Sequence, residues 1–154
     1  MYTWPDGKRV GIIAGNFDVI HPGYVRMFND AKQNACDYFV VALHEDPSIE
    51  RPHKAKPILS VEERTEILLS FESVDEVVYY QTEADLVDVL KRVKPDVRVL
   101  GSDYEGRDDF TGSELDIQIY YHKRDHEWST TRFKNEITDQ VLFQRKRHEG
   151  NGCL

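Results

Sequence analysis

The apolar run Val10-Gly11-Ile12-Ile13-Ala14 ends in Gly15, and Pro22-Gly23 then opens an amphipathic stretch. A continuous apolar run, as opposed to an alternating one, belongs to a strand covered on both faces, and such strands occur in parallel sheets flanked by helices. Pro22 suits the first helical position, where its missing N–H is one that a helix leaves unpaired in any case. Residues 14–24, Ala-Gly-Asn-Phe-Asp-Val-Ile-His-Pro-Gly-Tyr, therefore form a strand-to-helix turn. Gly15 has no Cβ, so backbone N–H groups there can approach an oxyanion, and Asn16 and Asp18 suit the turn. Gly23 removes bulk at the helix start, whose unpaired N–H groups face an anion. The chemical expectation is a phosphate site.

Further apolar runs at 37–43, 74–80, 97–100 and 115–121 alternate with helical patterns beginning at Pro22, after Ser60, over 83–93, and from 129 to about 147. Ser60 with Glu63 reads as a capping box. Residues 44–59 show no periodicity and read as a loop, as do 101–114 and the polar 122–128. Five strands alternating with helices predict an α/β fold with a mainly parallel five-stranded sheet and flanking helices. Ligands bind such sheets beyond the carboxyl ends of the strands, where 15–24, 44–57, 101–109 and 122–131 fall. One domain over 1–154 is expected, with its core at about 9–147 and a flexible tail at 148–154.

Charge narrows the partners. The chain has 20 Lys and Arg against 28 Asp and Glu, a net −8, which opposes binding to nucleic acid or an anionic membrane but allows a local basic pocket. Cys36 and Cys153 are the only cysteines, too few for a disulfide framework or a four-cysteine zinc site, and a reducing cytoplasm is the simplest setting. The first residues hold no signal-peptide core, and no run approaches the ~18 apolar residues of a membrane span. His122 and His126, and the contiguous His44-Glu45-Asp46, match no ligand spacing on a predicted helix, so no transition-metal site is expected.

Gly15-x-Phe17-Asp18-x-x-His21-x-Gly23 resembles the GxFDxxHxGH signature of the cytidylyltransferase-like nucleotidyltransferases, with Tyr24 in place of the final histidine. Val74-Asp75-Glu76-Val77 before Lys94-Pro95-Asp96, Gly101-Ser102-Asp103-Tyr104-Glu105-Gly106, and Arg124 with Trp128-Ser129-Thr130-Thr131 are similar to later segments of the same family. The likeness covers residues 9 to about 138. It implies the Rossmann-like HxGH fold, CTP with Mg²⁺, and a homodimer. The nearest pattern is the glycerol-3-phosphate cytidylyltransferase, a compact single-domain enzyme that transfers CMP to a phosphorylated alcohol and releases pyrophosphate. Relatives that use ATP share pieces of the pattern. Archaeal FAD synthetases have a similar first motif, and the adenylyltransferase domain of ADP-heptose synthase has a loop resembling Gly101-Ser102-Asp103-Tyr104. AMP transfer to a sugar phosphate or FMN is the alternative, and Tyr24 opens a third reading, a catalytically weakened nucleotide-binding protein. An aminoacyl-tRNA synthetase is excluded by length, charge and the lack of a lysine-rich KMSKS-type loop.

Carried onto this sequence, the resemblance implies that His21, Tyr24, Lys54 and Arg124 serve the chemistry. It implies that Gly15, Asn16, Phe17, Asp18, Gly23, Gly101, Asp103, Tyr104, Glu105, Ser129, Thr130 and Thr131 hold the nucleotide, and that Lys56 and Arg64 reach the acceptor phosphate. Plainer roles exist for several of them: a helix cap for His21 and Ser129, a solvated basic patch for Lys54 and Lys56, and an exposed helix ion pair for Arg64. Tyr24 can donate one hydrogen bond but cannot become a cation near neutral pH. Trp128 is bulkier than the residue the family carries before the serine. Asp18 is the one carboxylate proposed for Mg²⁺, which otherwise needs no protein ligand.

Overall fold

A computed structural model of the chain describes residues 2–152; Met1, Cys153 and Leu154, and with them the Cys153 reading and the end of the expected tail, lie outside the described residues. Five strands, β1 (Val10–Gly15), β2 (Tyr38–His44), β3 (Glu76–Tyr80), β4 (Val97–Gly101) and β5 (Gln118–His122), form one sheet in the order β3-β2-β1-β4-β5. All four pairings are parallel, with Ile12 opposite both Val40 and Arg98. The helices are α1 (Pro22–Asn34), α2 (Pro47–Glu50), α3 (Val61–Leu69), α4 (Glu83–Val93) and α5 (Thr130–Asn151). The Rossmann-like parallel sheet expected from the apolar runs is the observed one. Among the described residues no helix is long and apolar enough to cross a membrane.

Alternate residues of each strand enter one of two apolar layers, which explains why the runs are continuous. Phe39, Val41 and Leu43 of β2 join Phe28 and Ala31 of α1 and Leu68 of α3. Val40 and Ala42 join Val10, Ile12 and Val78 beneath Leu86, Val89, Leu90 and Val93 of α4. Val97 and Val99 of β4 lie in the first layer, so Arg98 between them enters the α4 side.

Four features depart from expectation. The 44–59 segment contains the short helix α2, capped by the Asp46 side chain, which accepts from the Ser48 N–H at 2.9 Å; one turn is too short to show a period. The third and fifth strands begin later than the apolar runs, because Val74 and Leu115 donate within turns, to Phe71 and Gly112. The final helix continues through Arg145-Lys-Arg-His-Glu149 to Asn151, so the tail expected from 148 is helical as far as it is described. Gly150 costs a helix only ~1 kcal/mol and does not stop it.

Candidate active site

His21 is the N-cap of α1 and is 6% exposed. Its Nδ1 accepts from the Gly23 N–H at 3.1 Å, which places the proton of the neutral ring on Nε2 and leaves that nitrogen as a donor. Burial, together with the charges of His126 and Arg124, holds His21 below its ordinary value, so the ring is neutral at pH 7. Tyr24 stacks on one face of the imidazole at 4.3 Å, and the Trp128 ring lies nearly parallel to it at 5.8 Å. Gly23 is needed here for space: a Cβ would come within 2.9 Å of the rings of both His21 and His126.

The turn before His21 is held from beneath. Phe17 is buried at a left-handed φ of 50°, a conformation that costs ~1–3 kcal/mol and recurs at ligand sites. Gly15 ends β1 and lines the cavity described below, whereas the Asn16 side chain is exposed and its carbonyl is turned to Arg64. Asp18 is buried, and burial alone would raise its carboxyl. The N–H groups of Ile58 and Leu59 and the Lys134 ammonium outweigh that and hold it below the usual carboxylate range. Asp18 thus fastens the 51–59 loop and α5 to the turn.

Three of the sequence candidates stand elsewhere. Each nitrogen of the Arg64 guanidinium donates to a backbone carbonyl, and the residue is 1% exposed, so it ties chain segments together instead of reaching a substrate phosphate. Its position on a helix of charged residues suggested exposure, but that face of α3 is turned inward. Lys54 and Lys56 are exposed on the loop, and Lys56 lines a separate cleft beside Asp46 and away from the Gly101 side of the site.

Seven of the other candidates converge on one cavity, and His21, Gly23 and the 129–131 segment lie beside it without lining it. A cavity of about 380 Å³ opens at the carboxyl ends of the strands and is lined by Gly15, Phe17, Tyr24, Gly101, Asp103 and Arg124, with Tyr104 also on its wall. That size suits a nucleotide-scale ligand. Arg124 is placed by its N–H to the Ser102 hydroxyl at 3.1 Å and by its guanidinium to the Trp128 carbonyl at 3.0 Å, and it faces Asp103 at 3.6 Å. Glu105 is exposed at the end of the same turn. Ser129 caps α5 by accepting from the Arg132 N–H, Thr130 shares a 2.9 Å hydrogen bond with the Tyr24 hydroxyl, and Thr131 is exposed. The start of α5 lies beside His21 through Trp128 and Phe133, and its positive dipole end favours an anion there, whereas the first N–H groups of α1 already donate to His21. Burial raises the Tyr24 hydroxyl above its ordinary value, so it stays protonated.

Sequence reasoning missed Lys134, Arg51 and Arg98. Lys134 meets Asp18 across 116 positions, which no local signal reveals. The Arg98 signal was present, a charge inside the run Val97-Arg-Val-Leu100. As for magnesium, both Asp18 oxygens already accept hydrogen bonds, and no group of three His, Cys, Asp or Glu among the described residues is placed to hold an ion. The carboxylate proposed for Mg²⁺ therefore does not fit that role.

A parallel sheet with a helix N-terminus, a neutral histidine donor and an arginine at its carboxyl edge defines a nucleotidyltransferase-type domain. Residues 12–136 match the profile described as cytidylyltransferase-like, and the chain belongs to that family of transferases. Similar proteins include the bifunctional protein HldE of Rhodopseudomonas palustris (strain HaA2), 36% identical over 111 residues, 71% of this chain and 22% of that protein. HldE of Bradyrhizobium diazoefficiens is 38% identical over 110 residues with the same coverage. The chain thus spans about a fifth of the length of these curated relatives, 22% in each case. In fold it is similar to the lipopolysaccharide core biosynthesis protein of Thermoplasma volcanium GSS1, with a TM-score of 0.61 and 22% identity over 79% of this chain and 100% of that one. The pantoate-beta-alanine ligase of Francisella tularensis gives a TM-score of 0.58 at 12% identity, over 86% of this chain and 67% of that one.

Proposed function

We propose that this chain transfers AMP from ATP to the phosphate of a small sugar phosphate, releasing pyrophosphate. The observation that carries this reading is how the curated relatives match. They are bifunctional proteins of which this chain covers 22%. A match of that kind is expected of an adenylyltransferase domain coupled to a second activity, like the one whose loop resembles Gly101-Ser102-Asp103-Tyr104. It is not the pattern of the compact single-domain glycerol-3-phosphate cytidylyltransferase, so CTP with glycerol 3-phosphate, the first expectation, gives way to its alternative.

In this mechanism an oxygen of the acceptor phosphate attacks the α-phosphorus of the nucleotide. One P–O bond forms, the bond from the α-phosphorus to the bridging oxygen breaks, and pyrophosphate carries away the electron pair. The acceptor oxygen is already anionic, so no general base is required, and the task is positioning and charge neutralisation. His21 would donate from Nε2 to the bridging oxygen as charge builds there. Arg124 and the first N–H groups of α5 would hold the phosphates. Magnesium would arrive as the counter-ion of the triphosphate, held by phosphate oxygens. The homodimer stays in the proposal on the resemblance alone.

Pyrophosphate release with ATP and CTP crossed against heptose 1-phosphate, glycerol 3-phosphate and FMN tests the reading. ATP with the sugar phosphate is expected to give the fastest release. Faster release from CTP with glycerol 3-phosphate would restore the cytidylyl reading.

Tyr24→His is expected to raise turnover about tenfold or more, part of the roughly hundredfold that one positioned donor contributes. The Tyr24 hydroxyl is shared with Thr130, whereas a histidine there would offer a ring N–H to the phosphates. Steady-state turnover of the two proteins checks this, and unchanged turnover would mean that the tyrosine already serves.

A further inference from the structure

The cavity at the sheet edge is lined by four arginines, and three of them have acidic partners on the same wall. Arg51 pairs with Glu83, Arg107 with Asp109 at 2.8 Å, and Arg124 faces Asp103 at 3.6 Å. Arg98 has no ion-pair partner among the described residues, although it is only 5% exposed. Its Nη1 donates to the Thr111 carbonyl, and its guanidinium lies 5.3 Å from the centre of the Phe110 ring. Its Nε is fully buried and has no acceptor, and the Arg51 Nε is in the same condition. Glu83 cannot neutralise Arg98 as well, because one of its oxygens takes Arg51 and the other the Thr111 hydroxyl. Burial disfavours the Arg98 charge, and Tyr80, Glu83, Tyr104 and Glu114 oppose that only through space.

A buried guanidinium with an orphaned N–H is strongly unfavourable unless something completes it. Arg98 is such a group in a chain of net charge −8, whereas the Arg51 side chain beside it on the cavity wall is 39% exposed and paired with Glu83. Arginine stays charged even when buried, so the complement is an anion, and a planar carboxylate or a phosphate suits the guanidinium fork. The cavity straddles the sheet edge. Phe17 and Tyr24 lie at its α1 end, while Tyr80, Leu86, Arg51 and Arg98 lie at its α4 end. Nucleotidyl transfer beside His21 places the reacting phosphate at the α1 end, so the α4 end faces the part of the acceptor remote from it.

We propose that Arg98, seconded by Arg51, is an anion subsite for a second acidic group of the acceptor, a carboxylate or a phosphate on the end of the molecule away from the reacting phosphate. The assignment rests on the transfer reading above and deepens it. The acceptor is then a sugar phosphate bearing two acidic groups.

The test uses the full chain, Arg98→Met and Arg98→Lys. Pyrophosphate release from ATP is measured with glucose 1-phosphate, glucose 1,6-bisphosphate and glucuronic acid 1-phosphate, so that the last two separate a remote phosphate from a remote carboxylate. The native chain is expected to favour at least one doubly acidic acceptor by about tenfold to a hundredfold in kcat/KM, the scale of a hydrogen bond to a charged group. Arg98→Met should abolish that ratio, mainly through the acceptor KM, and Arg98→Lys should keep part of it. No preference in the native chain, a preference that survives Arg98→Met, or a loss that falls on ATP binding by calorimetry overturns the proposal.

A second readout separates failure of the subsite from failure of the transfer reading. Inorganic phosphate and malonate should raise the melting temperature of the native chain more than that of Arg98→Met. Methionine fills similar volume without a buried charge, so this variant is expected to melt no lower than the native chain when no anion is present. If no acceptor turns over, the transfer reading fails, and an Arg98-dependent anion shift still supports the subsite. Equal anion shifts in the two proteins overturn it.

Discussion

Replacing His21 by alanine is expected to lower turnover by about a hundredfold to a thousandfold while nucleotide affinity changes by only a few-fold. The size is that of losing one preorganised donor aimed at charge that develops in the transition state. The geometry says which donor it is. Because Nδ1 accepts from the Gly23 N–H, Nε2 carries the proton of the neutral ring. Burial, with His126 and Arg124 adding to it, lowers the pKa of the ring from its ordinary value and so favours the neutral form. Ground-state binding survives because Arg124 and the N-terminus of α5 are untouched, although α1 loses its side-chain cap on the Gly23 N–H. The same displacement of the His21 pKa predicts a pH profile. The rate should stay level as pH falls through neutrality and drop only below the usual histidine value of ~6.5. The His21 contribution to folding has a related sign: the unfolded chain takes up the proton first, so stability decreases as pH falls below that value. Pyrophosphate release and calorimetric nucleotide binding on one sample distinguish the possibilities. Unchanged release would remove His21 from the chemistry, and an equal loss in binding and turnover would make it a ground-state ligand.

What was legible in the chain follows from which interactions are local. The strands and their parallel sheet could be read because parallel strands buried on both faces leave continuous apolar runs, as Val10–Gly15 and Tyr38–His44 do, whereas the order β3-β2-β1-β4-β5 was not legible. Helix α4 announced both of its ends. Thr82 with Asp85 forms a capping box, and Lys94 closes the helix in the left-handed conformation just before Pro95. The β1–α1 turn was legible for the same reason, since glycine, proline and histidine there act within one turn of each other. Arg64 was not legible. Glu62, Glu63 and Glu66 around it suggest a solvated face, and nothing nearby announces that carbonyls from residues 16, 44 and 45 meet behind it. The Asp18 to Lys134 contact and the unpaired Arg98 are likewise products of tertiary assembly. On the proposed assignment, acceptor choice lay beyond the motifs because Arg98 and Arg51 at the α4 end of the cavity belong to none of them.

Arg64→Met is expected to destabilise the fold by about 3 to 5 kcal/mol, the scale of removing one partner from a buried charged network. In a chain of this size that is a fall in Tm of roughly 10 °C or more. Nη1 donates to the Asn16 carbonyl at 2.9 Å and the His44 carbonyl at 2.7 Å, Nη2 to Glu45, and Nε to Leu59 and Ser60. One side chain therefore gathers the carboxyl ends of β1 and β2 and the entry to α3, and methionine would leave those carbonyls buried without donors. Arg64→Lys should recover little, because a single ammonium cannot reach carbonyls arranged around a planar fork. Activity should fall with stability, since Asn16 belongs to the turn that sets His21, and cooling or a stabilising additive should recover part of it. Denaturant melts of the three proteins beside their acceptor KM values decide between the two roles the residue has been given. A large loss of stability with acceptor KM little changed in the surviving folded protein is the expected pattern. Native-like melts with a raised acceptor KM would instead return Arg64 to the acceptor phosphate, and its carbonyl contacts would then be a resting arrangement that substrate displaces.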